Sequence, residues 1–309
     1  CQVRYDEIVE EANDKLADAR QELEDGKKEA NEKLADARQE LEDGKKKLKD
    51  GKKEYKDGKN ITPDEIFAWS DAHKTTPKTS APSLVDAIEI LKPYVEEKRE
   101  VICFSISSSM STSGNVMRLA ADELEASDFV TVIDSANLST GIGLQVVEAA
   151  VMAQAGKSAA EIKKILTDQK LDSSIYITLD TLKYLKKGGR ITPAAAAIGT
   201  VLNLKPVLQI QGEKLDAYAK VRGKKQAKRA MLKAMKNDWE TRFKEYASDG
   251  EMCLQAAYTG NLEEAEEFKK EIQEVFPGME IHMDPLSLSV ACHIGYGALA
   301  VACSRKVTL

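Results

Sequence analysis

The pattern of apolar and polar residues changes character at about residue 60. Thr62 is a helix-capping residue and is followed by a proline at the first helical position, which predicts a short helix from Pro63 to about Ala72. Apolar strand-like runs then alternate with amphipathic helical stretches: a strand at 101–106, a helix at 113–126 and a second strand at 129–134, followed by helices at 143–155 and 159–167. Strands that alternate with helices in this way are typical of an α/β layer with parallel strands. We therefore predict a parallel α/β domain over residues 59–172.

The second half mixes hairpins with helices. The pattern predicts strands at 175–179, 205–211, 214–221, 252–258, 280–283 and 298–303, and helices at 181–186, 193–202, 224–246 and 262–276. Consecutive strands without a helix between them indicate an α+β domain, which we place at residues 173–309.

The first 58 residues have a different composition. Residues 11–28 and 29–46 repeat the same sequence with one difference, a period of 18 residues or five helical turns. Residues 1–60 contain 15 Lys or Arg and 18 Asp or Glu, too little apolar surface for a globular core. The segment is predicted to be a long charged helix or coiled coil. It serves either as a stalk or dimerisation arm, or as an appendage without a function.

Composition excludes several classes of function. The net charge is −6 and the basic residues are dispersed, so a nucleic-acid partner is not expected. The five cysteines lack C-x-x-C spacing and only three histidines are present, so we expect neither a metal site nor another cofactor. The longest apolar stretch, 286–303, is interrupted by serines, glycines and His293, so no membrane span is predicted. The chain opens on Cys1 without an apolar signal segment, which indicates a fragment or a processed product.

Two polar loops could hold an anion. Residues 78–83 carry hydroxyl side chains directly before a helix near Leu84, and residues 105–113 carry six serines and a threonine between a strand and a helix. Free backbone N–H groups at a helix start attract negative charge. Either set of hydroxyls could instead only cap its helix. A serine nucleophile would need a base, which the sequence does not identify.

Three further positions are candidates. His293 lies between Cys292 and a glycine-rich turn, where it could donate a hydrogen bond to a carboxylate or be an ordinary core histidine. Arg190 and Arg222 lie in basic turns that could bind a phosphate or an acidic partner, or be solvated loops. Spacing alone leaves these alternatives open.

From about Tyr55 to its end, the chain resembles the DegV family, which includes the fatty-acid-binding subunits of bacterial fatty acid kinase. The resemblance rests on an ordered series of short motifs. These are YKDG at 55–58, PKTSAP at 77–82, SSSMS at 107–111, VIDS at 132–135, DTLKYLKKGGRI at 180–191, NLKP at 203–206, KVRG at 220–223 and HIGYG at 293–297.

The resemblance implies a non-catalytic cytoplasmic lipid carrier with a two-domain fold. Such a protein buries a long-chain fatty acid and presents the carboxylate to a separate fatty acid kinase for acyl-phosphate formation. By this resemblance Thr79, Ser111 and His293 bind the carboxylate, and Ser107 and Ser108 lie nearby. The resemblance also implies that Arg190 and Arg222 face the kinase. A lipid carrier of this kind can make transient contact with a membrane surface, and the charged N-terminal repeat can associate with a second copy as a coiled coil.

The N-terminus departs from the family pattern. Relatives open with a strand, a helix and a second strand, where this chain has the charged repeat, so the first domain is expected to lack its first strands. The repeat is similar to stalks of some bacterial permeases, which suggests a chimera as an alternative to a natural variant. A coiled-coil interaction protein whose DegV-like part has lost its ligand is the competing functional hypothesis.

Overall fold

The computed structural model of the chain describes residues 21, 27–28, 61–196, 204–211 and 214–307. The chain divides into two compact units, Cys1–Lys56 and Asp57–Leu309. In the first unit only Gln21, Lys27 and Lys28 are described, and they are helical. The predicted coiled coil otherwise lies outside the described residues. The boundary near residue 172 stays a prediction.

The first part of the second unit alternates helices with two strands. Its first helix begins with a capping box, in which Thr62 accepts from the backbone N–H of Glu65 and the Glu65 carboxylate accepts from that of Thr62. The elements are α1 Pro63–Ala72, α2 Leu84–Glu96, β1 Val101–Ser105, α3 Ser113–Glu123, β2 Val130–Asp134, α4 Thr140–Gln154 and α5 Ala159–Gln169.

Strands β1 and β2 pair in parallel, from Val101 opposite Val130 to Ser105 opposite Asp134. Helices α2 and α3 pack on one face of this pair, around Leu91, and α4 and α5 pack on the other, around Met152. The parallel α/β layer predicted from the sequence is therefore confirmed. The carboxyl ends of both strands lie at the same edge, beside the serine-rich loop that follows Ser105.

The remaining elements build a larger sheet. They are β3 Ser173–Thr178, α6 Lys183–Gly188, α7 Pro193–Ala196, β4 Leu204–Ile210, β5 Asp216–Arg222, α8 Lys224–Glu240, α9 Lys244–Ser248, β6 Met252–Tyr258, α10 Leu262–Val275, β7 Ile281–Pro285, α11 Leu288–Ile294 and β8 Leu299–Arg305. The strand order is β5-β4-β3-β8-β6-β7, antiparallel except for the parallel pair β6-β7.

The two faces of this sheet bury different clusters because successive side chains of a strand point to opposite faces. On one face Tyr176 and Val301 pack against α8 and α10, around Phe268. On the other face Ile175 and Ile177 join residues of α6 and α11 and the loop after β2. This second face carries the candidate site.

Two helices differ from the sequence prediction. The helix predicted at 224–246 is divided into α8 and α9 by a turn at 241–243, in which Phe243 is buried in the core. Helix α11 was not predicted, since it spans only two turns between glycine-rich and proline-rich turns. The described helices include none that is long and apolar enough to cross a bilayer.

Candidate functional site

A cavity of about 250 Å³, here called the main cavity, lies between the two sheets. Its walls come from the loop after α1, the loop after β1, and helices α6 and α11. The lining residues are Thr79, Ser80, Ala81, Pro82, Ile106, Met110, Ser111, Ser113, Leu138, Leu185, Arg190, Leu215, Ser289, Val290, His293 and Ile294. Most of this lining is apolar, and the polar groups are mainly hydroxyls together with His293 and Arg190.

Helix α1 anchors the loop that covers the cavity. Phe67 is buried and makes edge-to-face contacts with the rings of Tyr184 and Tyr296. The Ser70 hydroxyl donates to the carbonyl oxygen of Thr75 and lies 3.3 Å from the Tyr184 hydroxyl. These contacts fix the start of the loop, so that Thr79 reaches the cavity.

Thr79 and His293 are brought together from opposite ends of the folded region. Thr79 Oγ1 lies 2.7 Å from His293 Nε2, a short hydrogen bond between groups 214 residues apart in sequence. Gly188 provides the space for the imidazole, because a Cβ at that position would lie 2.4 Å from His293 Nδ1. The position of the histidine therefore depends on three separate segments.

The electrostatic environment favours the neutral form of His293. Burial lowers its pKa, and the nearby positive charge of Arg190 lowers it further. Arg190 is itself held by two backbone carbonyls: Nε donates to Met110 at 3.2 Å, and Nη1 donates to Gly188. A neutral imidazole has a single N–H to donate, which can orient the Thr79 hydroxyl toward an anion, and the guanidinium adds a fixed positive charge.

The serine-rich loop turns its side chains in different directions. Ser111 and Ser113 line the main cavity, and their hydroxyl oxygens lie 3.0 Å apart. Ser107 is buried with its hydroxyl 2.9 Å from that of Ser109, and the backbone N–H of the exposed Ser108 donates to the Asp134 carboxylate. Neither Ser107 nor Ser108 is among the described residues that line the cavity.

A second space, the outer cavity, adjoins the main cavity on its polar side. It has a volume of about 480 Å³, and Thr79, Arg190 and His293 line both spaces. Its remaining lining is Thr75, Thr76, Pro77, Lys78, Lys187 and Gly188. The outer cavity thus adds two lysines to Arg190 and carries no acidic side chain among its described lining residues, which favours an anion.

Arg222 is not part of this arrangement. It is exposed at the end of β5, whereas Leu215, which lines the main cavity, directly precedes the start of that strand. Seven strand residues at about 3.3 Å each separate the two positions by roughly 20 Å. The structure brings Thr79, Ser111, Arg190 and His293 together and leaves Arg222 at a distant edge of the sheet.

The apolar end of the main cavity continues over the large sheet. A small pocket of about 20 Å³, here called the sheet pocket, shares Leu138, Leu215, Val290 and Ile294 with the main cavity. Its floor includes three alanines with small side chains, Ala257, Ala300 and Ala302. The two spaces together form an apolar path that begins at the Thr79–His293 pair and ends above the middle of the sheet.

This arrangement suits a ligand with an anionic head and an apolar tail. A serine nucleophile is not supported within the described region, because the Ser111 hydroxyl contacts Ser113 while His293 contacts Thr79. No group of three or more His, Cys, Asp or Glu side chains arranged to hold a metal ion occurs in residues 61–196, 204–211 and 214–307. Sequence reasoning missed Met110, Leu138 and the α11 residues Val290 and Ile294, since an apolar wall has no motif.

Comparison with known proteins places the chain in a family. The model of the DegV family, described as uncharacterised proteins, matches residues 47–306. A DegV domain-containing protein of Clostridium perfringens is 32% identical over 230 residues, 73% of this chain and 76% of that protein. A DegV domain-containing protein of Deinococcus radiodurans is 32% identical over 234 residues, 75% of this chain and 79% of that protein.

Solved structures agree with this assignment. A fatty-acid-binding DegV family protein from Thermus thermophilus superposes with a TM-score of 0.71 at 30% identity, covering 81% of this chain and 87% of that chain. A stearic-acid-binding protein from Eubacterium ventriosum gives 0.73 at 26% identity, covering 83% and 88%. The family model, the related sequences and the shared two-sheet architecture all lead to one conclusion: the chain belongs to the DegV family.

Proposed function

We propose that the protein binds one long-chain fatty acid and presents its carboxylate to a separate fatty acid kinase, which forms the acyl phosphate. The observation that carries the proposal is the position of the Thr79–His293 pair, where an apolar cavity meets a basic outer cavity. The fatty-acid-binding relatives from Thermus thermophilus and Eubacterium ventriosum support the choice of ligand.

The apolar path accounts for the affinity of the tail. Each methylene removed from water contributes about 0.8 kcal/mol, so a long acyl chain in the main cavity and sheet pocket gains several kcal/mol. The small side chains of Ala257, Ala300 and Ala302 leave room for it. An acyl chain would still bind in an apolar cavity that lacked a head-group site, but the direction in which it binds would not be defined.

The polar mouth accounts for the orientation of the head. A carboxylate that leaves water must be paired or hydrogen-bonded. Ser111 would donate its hydroxyl, and Thr79 would donate its hydroxyl to the carboxylate while it accepts the Nε2–H of neutral His293. Arg190 would supply charge from the cavity wall. The carboxylate would then face the outer cavity, where Lys78 and Lys187 favour an approaching phosphoryl group. The kinase would provide ATP binding and catalysis, so the proposed role is that of a non-catalytic carrier.

Native mass spectrometry of the purified full chain, followed by extraction and identification of the released lipid, tests the binding step. We expect close to one fatty acid per chain in the wild type and a marked loss in His293→Ala. The matched control is His282→Ala, which removes an exposed histidine from β7 and should retain the lipid. A folded wild-type chain that carries no lipid, and takes up none when palmitate is added, would instead favour the interaction-protein hypothesis.

The kinase step needs its own assay. The lipid-loaded chain is mixed with a purified bacterial fatty acid kinase and ATP, and acyl phosphate is trapped with hydroxylamine. Arg190→Ala and Arg222→Ala are each expected to lower the yield of hydroxamate, and Arg222→Ala should do so with its lipid content unchanged, since Arg222 lies far from the cavity. No hydroxamate from the loaded wild type would refute the kinase step and leave fatty-acid binding intact.

A further inference from the structure

A second polar space is lined by residues different from those of the main cavity and the outer cavity. A space of about 10 Å³, here called the polar cavity, is enclosed by α4, α5 and the adjoining ends of β3 and β8. It is lined by Asn137, Leu144, Gln145, Glu148, Leu166, Gln169, Lys170, Asp172, Ser173, Ser304 and Arg305. The polar cavity therefore lies between helices of the parallel α/β layer and two strands of the large sheet.

Three buried oxygens without a hydrogen-bond partner belong to residues that line this space. Within the described part of the chain, the buried side-chain polar atoms that lack a hydrogen bond are Gln145 Oε1, Gln169 Oε1 and Ser304 Oγ, and all three residues line the polar cavity. Gln145 is 9% exposed and Ser304 is 7% exposed. A buried acceptor without a donor costs about 1 to 3 kcal/mol, so three such oxygens on the residues of one space favour the binding of a small polar molecule there.

The orientation of Gln145 is determined by its neighbours. Its amide nitrogen donates to the carbonyl oxygen of Ser135 at 3.2 Å, so its Oε1 is the atom left for the cavity. The adjacent Asn137 is already engaged: its amide nitrogen donates to Ser173, and its side-chain oxygen accepts from the N–H of Leu138. The donor that Gln145 Oε1 requires does not come from this neighbour.

We propose that the polar cavity is a binding site for one internal water molecule. A water can donate one hydrogen to each amide oxygen and accept one from the Ser304 hydroxyl, which satisfies all three orphan atoms. A volume of about 10 Å³ is close to that of a single water-sized sphere.

The charges around the cavity favour a neutral ligand over a metal ion. Two carboxylates, Glu148 and Asp172, and two cations, Lys170 and Arg305, line it, so their formal charges cancel. Arg305 donates to Asp172 at 3.3 Å and to Glu251 at 2.9 Å, and Glu148 accepts from the backbone N–H of Val307 at 2.7 Å. A cation on the three neutral oxygens would also leave the Ser304 hydroxyl hydrogen without an acceptor.

The water would connect two layers of the fold. Gln145 and Gln169 belong to helices that pack on the parallel strand pair, whereas Ser304 belongs to β8 of the large sheet. Through Ser135 the same network reaches Leu138, which lines the main cavity and the sheet pocket. The bound water thus helps to hold the layer that forms one wall of the main cavity against the sheet that forms another.

Oxygen-17 magnetic relaxation dispersion of the full chain counts internal waters with long residence times. Ser304→Val removes one partner and fills part of the space, so we expect one long-lived water fewer than in the wild type. Ser105→Ala is the matched control, because this buried serine donates to the carbonyl of Ile133 in the other sheet and should leave the count unchanged. Equal counts in the wild type and in folded Ser304→Val would overturn the proposal.

A crystal structure of the wild-type chain provides a measurement that does not depend on a variant. We expect a water within about 3.2 Å of all three orphan oxygens. Protein donors on both amide oxygens would overturn the proposal, as would an anomalous signal at this position after exchange of the crystal into rubidium chloride, which would identify a cation.

Discussion

Replacing Gly188 by alanine should displace His293 without touching it directly. The new Cβ would lie 2.4 Å from His293 Nδ1, whereas ordinary contacts begin near 3.4 Å. The imidazole must therefore move by about 1 Å away from Gly188, which disturbs its 2.7 Å hydrogen bond with Thr79. Gly188 ends α6 without a positive φ, so alanine itself fits the backbone.

The expected effect is a loss of head-group recognition. A hydrogen bond to a charged group contributes about 1.5 to 3 kcal/mol, and each 1.4 kcal/mol is about tenfold in affinity. Gly188→Ala should therefore weaken palmitate binding by about 10- to 100-fold, as measured by calorimetric titration of the delipidated protein. In a His293→Ala background the same substitution should have little further effect, since the group that it displaces is gone.

Gly143→Ala provides the control for this comparison. Gly143 lies in α4 with no atom within 4 Å of an added Cβ, so alanine should leave binding unchanged and stabilise the helix by about 0.5 to 1 kcal/mol. Wild-type affinity in a folded Gly188→Ala protein would refute the assignment of His293 to the head-group site.

Three further outcomes follow from the same structure. A bound carboxylate should raise the lowered pKa of His293, so binding takes up a proton, and palmitate affinity should rise by at most about tenfold per pH unit as the pH falls through the pKa of His293 in the complex. This slope should vanish in His293→Gln, and a flat wild-type profile would contradict the placement of His293 beside the carboxylate. Ala302→Leu should fill the sheet pocket, so that the lipid that co-purifies with the protein has a shorter acyl chain by mass spectrometry and the longest chains lose about 2 kcal/mol of binding free energy. An unchanged lipid profile would count against the apolar path. Asp238→Ala should lower the free energy of unfolding in urea by about 2 to 4 kcal/mol and leave palmitate binding intact, because the buried hydroxyls of Ser174 and Tyr176 both donate to the Asp238 carboxylate, at 2.6 and 2.7 Å. A loss of less than about 1 kcal/mol would show that these hydroxyls find other acceptors.

Local sequence patterns predicted many of the helices and strands. The cap at Thr62 and the proline after it predicted the start of α1 to the residue, and the apolar run at 252–258 predicted β6 with its observed bounds. These features depend on hydrogen bonds and side-chain alternation within a few residues, so they can be read locally. Helix α11 could not be predicted from local sequence, because its two turns are stabilised by packing of Ala291 and Ile294 against distant segments.

The candidate site shows the same division at the level of single side chains. The sequence pattern identified the polar loops at 78–83 and 105–113, Arg190 and His293 as candidates, and the resemblance to the DegV family singled out Thr79 and Ser111 within those loops. Only the tertiary structure placed Thr79 Oγ1 2.7 Å from His293 Nε2, across 214 residues of chain.

Tertiary structure also separated residues that the sequence grouped together. Ser107 and Ser108 share a loop with Ser111 but turn away from the main cavity, and Arg222 lies at a far end of β5. Residue type and spacing determine which groups can bind an anion. Which of them meet is decided by the packing of two sheets and the helices between them, because direction and distance between remote segments are set by the whole core and not by any one segment.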